Sequence, residues 1–120
     1  MGNTYKYIYL CIQSQKDTGM ILTERIEADK ILSAVNMLKI IAHPVRLAIV
    51  DLLTEKKKMT VLEIQKALGL EQAIASQHLT LMEDKGVLVS EKVSRNKYVS
   101  LRYPKMKNIV TCLENCCNEL

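Results

Sequence analysis

The apolar positions between Thr60 and Leu101 form two helical runs followed by two strand-like runs. Val61, Leu62, Ile64, Ala67 and Leu68 lie mostly on one side of a first helix. Thr60 and Glu63 stand three residues apart at its start, where a hydroxyl and a carboxylate satisfy two orphan backbone donors reciprocally. Gly69 supplies the positive-φ residue that ends this helix and turns the chain sharply, with Leu70 packed under the turn. A second helix is predicted over residues 72–85. It buries Ile74, Leu79, Leu81 and Met82 and leaves Gln72, Ala73, Ala75, Ser76, Gln77 and Thr80 partly outward. Gly86 closes it. Val87-Leu88-Val89 then opens a strand of branched residues, answered by Lys97-Tyr98-Val99-Ser100-Leu101 across a polar turn of Ser94, Arg95 and Asn96.

Upstream, Thr23 caps a long helical pattern through Ile26, Ile31, Leu32, Val35, Leu38, Ile41 and Ala42. His43-Pro44 breaks it, because proline disfavours helix in the residue before it and suits a first helical position. Val45, Leu47, Ala48, Ile49, Leu52 and Leu53 follow, apolar on most sides as in a central core helix, with Arg46 and Asp51 as polar exceptions. The last helix, Pro104 to Glu119, carries an apolar stripe of Met106, Ile109, Leu113 and Leu120 that needs a partner. The expected architecture is mainly α with a small β-hairpin: a winged helix-turn-helix that dimerises through its N- and C-terminal helices. Residues 1–22 stand apart as an N-terminal arm. There Tyr5, Tyr7, Tyr9 and Cys11 alternate with Lys6, Ile8, Leu10 and Ile12, the period of a strand or extended segment. Residues 23–120 are expected to form the DNA-binding and dimerisation domain.

The outward face of the 72–85 helix has the chemistry of a base reader. Gln bonds adenine bidentately, Ser bonds either kind of base, and alanine methyls touch a thymine methyl. Gln72, Ala73, Ala75, Ser76, Gln77 and Thr80 are therefore candidate contacts to double-stranded DNA, and Lys92, Arg95 and Lys97 on the hairpin are candidates for phosphates or a minor groove. Charge distribution agrees. The chain carries +4 overall, and residues 56–102 hold nine basic against five acidic residues while the rest balances to zero. Net charge confined to the reading unit is the footprint expected for phosphate neutralisation.

At 120 residues and 48% hydrophobic, the chain is expected to be one domain, its core built from Leu, Ile, Val, Met and Ala because Phe and Trp are absent. No apolar run approaches the roughly 18 residues that span a bilayer, and the start lacks a secretory pattern, so no membrane partner and a cytoplasmic location are expected. Four cysteines in a reducing compartment point to thiols rather than disulfides. An enzyme is the least favoured class, since neither histidine lies near a cysteine in sequence.

Residues 38–50, Leu-Lys-Ile-Ile-Ala-His-Pro-Val-Arg-Leu-Ala-Ile-Val, together with Ser76-Gln77-His78-Leu79 and Gly86-Val87-Leu88, resemble the ArsR/SmtB repressor family over about residues 24 to 117. The resemblance implies a homodimeric repressor that leaves a palindromic operator when an inducer binds, with two recognition helices about 34 Å apart. It also implies that Ser76, Gln77 and His78 meet the major groove and that Arg95 reaches the backbone. The family's arsenic-site cysteines would fall on Thr60, Leu62 and Gln65, and its zinc-type ligands on Tyr103, Lys105 and Cys116, so neither set is present.

Cys112, Cys116 and Cys117 of the last helix are the remaining chemical candidates for sensing. At about 100° per residue Cys116 lies within the apolar stripe, with Cys112 and Cys117 on opposite flanks. One reading is a thiolate cluster, joined by Cys11 or by a second subunit, that takes a thiophilic metal or metalloid ion. A second is thiol redox sensing, although persulfide-sensing relatives carry a cysteine near Asp51. The third is packing alone, which would leave control to another ligand or to protein contact.

Overall fold

The computed structural model describes residues 22–120. The N-terminal arm up to residue 21, Cys11 included, lies outside the described residues. Two compact units divide the chain after Lys39.

In the first unit, α1 (Leu22–Arg25) is a single turn and α2 (Ala28–Ile41) begins after a break at Ile26 and Glu27. The continuous helix expected from Thr23 is thus interrupted, and Thr23 sits inside α1 rather than before it. After the break, α2 opens with the Ile31 N–H on the Glu27 carbonyl (3.1 Å) and the Asp29 carboxylate in its first turn, an arrangement favourable at a helix N-terminus.

The second unit is built from α3 (Pro44–Lys56), β1 (Lys58–Thr60), α4 (Val61–Leu68), α5 (Gln72–Asp84), β2 (Leu88–Val93), β3 (Asn96–Leu101), a 3₁₀ turn (Pro104–Met106) and α6 (Lys107–Glu119). The sheet has three strands in the order β1-β3-β2, all antiparallel. The hairpin β2–β3 was expected; β1 was not, because Lys58-Met59-Thr60 carries a single apolar residue and no strand period. Met59 accounts for the strand: it is buried opposite Val99. The core joins Ile49, Val50 and Leu53 of α3 with Ile64 of α4, Leu79 and Met82 of α5, and Val87, Leu88, Val99, Leu101 and Met106. These are the aliphatic and Met side chains that a chain without Phe or Trp must use.

Two glycine turns bracket α5. Gly69 (φ 63°) follows α4, and the Leu70 N–H returns to the Gln65 carbonyl (3.0 Å). Gly86 (φ 78°) follows α5, with its own N–H on Glu83 O and the Val87 N–H on Met82 O. Both follow the Schellman pattern, which satisfies orphan carbonyls while reversing the chain.

Candidate nucleic-acid interface

The sequence folds locally to hold α5 outward. Thr60 ends β1 and caps α4: its Oγ1 accepts the Glu63 N–H (3.1 Å), while Glu63 Oε1 accepts the Thr60 N–H (3.2 Å) and Oγ1–H (2.9 Å). With the Gly69 turn at its other end, α4 has only eight residues. It therefore fixes where α5 starts.

Gln72, Ala73, Ser76, Gln77 and Thr80 are all exposed on α5, and Ala73, Ser76, Gln77 and Thr80 line one open depression with Leu81 and Asp84. Two expectations are corrected. Ala75 is fully buried (0% exposed) and cannot touch a groove, whereas Ile74, expected inside, is 41% exposed. The reason is the helical period. Ala75, Leu79 and Met82 repeat at i, i+4 and i+7 and form the inner stripe, which leaves Ile74 on its edge. Size favoured Ile74 for the core, but angle decided.

His78 is half-buried beside His43, with ring centroids 4.8 Å apart. His43 caps α3 through Nδ1, which accepts the Val45 N–H (3.1 Å). Burial, then the neighbouring His43 and Arg46, push the His78 pKa below its ordinary value. Arg46 Nε is buried without a hydrogen-bond partner. In sequence His43 marks only a break; its place immediately before a helix-starting proline is the signal for the cap.

In the hairpin, the loop between Val93 and Asn96 has two residues, Ser94 and Arg95, and Ser94 takes φ 59° as the primed hairpin turns require. Asn96, expected in the turn, belongs to β3. Lys92 and Lys97 are directly opposed, and both are exposed, as is Arg95. Lys97 is not a free cation. Its Nζ lies 3.0 Å from Glu83 Oε2, and Glu83 Oε1 also accepts a hydrogen bond from Ser90 Oγ. Those bonds, Ser90 first, hold the Glu83 carboxyl below its ordinary pKa. The result ties the last turn of α5 to both wing strands, and no spacing in the sequence announces it.

Cys112, Cys116 and Cys117 are exposed on α6 as free thiols. Cys112 and Cys116 share a shallow face with Asn108, Thr111 and Asn115, which Cys117 does not join. Among the described residues no group of three or more His, Cys, Asp or Glu side chains is placed to hold a metal ion. No helix among them is long and apolar enough to cross a membrane.

Residues 41–91 match the model of a helix-turn-helix domain family. The transcriptional repressor PagR of Bacillus anthracis is 34% identical over 94 residues, spanning 78% of this chain and 94% of PagR. Its crystal structure superposes with a TM-score of 0.67, covering 72% of this chain and 99% of that one at 36% identity. Reduced HlyU from Vibrio cholerae gives a TM-score of 0.65 at 26% identity, covering 73% of this chain and 92% of HlyU. The homodimeric winged helix-turn-helix DNA-binding domain of Mb0332 from Mycobacterium bovis, described as a possible ArsR-family regulator, shares the fold (TM-score 0.66, 20% identity, 78% of this chain and 85% of that one). A capped short helix, a glycine turn, an outward amide-bearing helix and a basic wing, in a chain with these relatives, make this protein a winged helix-turn-helix transcriptional repressor of the ArsR/SmtB family.

Proposed function

We propose that the chain acts as a homodimer in which Gln72, Ala73, Ser76, Gln77 and Thr80 of α5 read base edges of a palindromic operator and Lys92 and Arg95 of the wing meet phosphates. The observation that carries this reading is the open face of α5, where amide, hydroxyl and methyl groups are exposed together. His78, half-buried against His43, contributes less than its exposed neighbours, and Lys97 only to the extent that DNA phosphate displaces Glu83. Pairing of two copies is supported by exposed apolar side chains: Leu38 on α2, Leu113 on α6 and Leu120 just past its end. Residues 1–22 serve as an accessory arm to the domain formed by residues 23–120.

Release from the operator is assigned to the α6 thiols. Cys112 and Cys116 are one turn apart and exposed, so a thiophilic metal or metalloid ion, or an oxidant, reaches them directly. One chain offers no three-ligand group among its described residues, so an ion would need thiolates from the second subunit or from Cys11. Thiol oxidation needs no such assembly, and a relative whose structure is that of a reduced form is consistent with it. The test is fluorescence anisotropy on a duplex from the chain's own promoter. Replacing Cys112, Cys116 and Cys117 by Ser should preserve operator binding and abolish release by arsenite, cadmium or a mild oxidant. If the triple variant is released like the parent, the cysteines only pack, and control belongs to another ligand.

A further inference from the structure

A cavity of about 390 Å³ lies between the C-terminal end of α3, strand β3 and the start of α6. That volume falls in the range of small-molecule sites, roughly 300–1,000 Å³. Its floor is apolar: Leu53 and Leu101, both buried, with Pro104 beside them. Two half-buried hydroxyls, Thr54 and Ser100, line the wall. Thr54 Oγ1–H is already donated to the Asp51 carbonyl (2.6 Å), so of the two hydroxyls it is Ser100 that keeps a donor for a ligand.

The rim is cationic. Lys57, Lys105 and Lys107 line the cavity, no acidic side chain does, and among the described residues none of the three is in an ion pair. Three like charges over an apolar floor repel one another and focus a positive potential into the opening. Lys57 is moreover held at φ 69°, ψ −53°, a γ-turn conformation that costs a non-glycine residue of order 1–3 kcal/mol.

We propose that this cavity binds a small amphipathic anion: a carboxylate on a short apolar chain or ring, the body on Leu53, Leu101 and Pro104, the charge among Lys57, Lys105 and Lys107. Such a ligand would bridge β3, the inner strand of the wing sheet, to the start of α6. It would do so without touching a cysteine, which makes this site independent of the thiol reading.

The test uses the full chain with octanoate and phenylacetate as probes and octanol as the uncharged control, followed by amide NMR shifts and calorimetry. At least one anion should shift the amides of Thr54, Ser100 and Lys105, and octanol should bind more weakly. Lys105→Glu with Lys107→Glu should weaken anion binding by about tenfold or more, and Thr54→Trp, which fills the cavity, should remove it. The Cys112, Cys116 and Cys117 triple Ser variant should bind the anion like the parent. Absence of shifts with both anions, octanol binding as tightly as octanoate, or unweakened binding in the double Glu variant would overturn the proposal.

Discussion

Removing the Thr60 hydroxyl should destabilise the protein out of proportion to the one oxygen lost. Thr60 and Glu63 satisfy each other's backbone donors at 3.1 and 3.2 Å, and the two side chains also bond each other at 2.9 Å. Replacing an N-cap Thr by Ala costs about 1 kcal/mol and up to about 2. The upper end is expected here, because α4 has few other turns to hold it and Thr60 is also the last residue of β1, paired with Tyr98. Glu63→Ala should cost about 0.5–1.5 kcal/mol, the net worth of an ordinary hydrogen bond set. Each substitution breaks the bond between the two side chains, so the double variant should cost less than the sum by about 0.5 kcal/mol or more. Urea unfolding followed by far-ultraviolet circular dichroism measures all three, with an unchanged slope as the control for two-state behaviour. Thr60→Ser should recover most of the loss. Additivity to within about 0.3 kcal/mol would refute the reciprocal cap.

Acid should destabilise the fold in two steps. His78 has a native pKa below its ordinary 6.5, so the unfolded chain takes up the proton first, and stability declines as pH falls from about 6.5 towards the lowered native value. Glu83 has a native pKa below its ordinary 4.5, so its contribution is complete above that value and is lost as pH falls through the native one. Thermal melts of His78→Gln should lose the first step and keep the second; an unaltered profile would remove His78 from the account. Lys57→Gly should raise stability by about 1 kcal/mol through release of the positive-φ conformation, whereas Gly69→Ala, at φ 63° with open space around it, should lower it by about 1 kcal/mol, both read by calorimetry. Ala75→Leu should cost about 1–3 kcal/mol by overpacking the inner stripe of α5, where an outward Ala75 would tolerate it.

The elements that local physics dictates were legible in the sequence. Thr60 with Glu63, Gly69, the helix from Gln72, Gly86 and the strand pair all fall where cap, turn and period signals place them. Features that depend on tertiary neighbours were not. Met59 becomes a strand residue only because Val99 lies opposite, and Ala75 is inside because the angle of α5 outweighs the size of Ile74. Lys97 reads as a free wing cation until Glu83, fourteen residues earlier, is folded against it. His43 and His78 lie far apart in the chain, and only the crossing of α3 and α5 brings their rings together. The outward face of α5 was thus legible from sequence apart from the exchange of Ala75 and Ile74, while the side-chain partners of Glu83 and His78 required the fold.

The central claim is that α5 reads bases and the wing holds phosphates, and binding to the promoter palindrome and to a scrambled duplex across a salt series tests it most directly. Gln77→Ala should cost about 1–3 kcal/mol on the palindrome, leave scrambled-duplex affinity unchanged and keep the salt slope. Arg95→Ala should weaken both duplexes alike and reduce the slope by about one. A Gln77→Ala variant that keeps the parent's preference for the palindrome would contradict the assignment of base reading to α5.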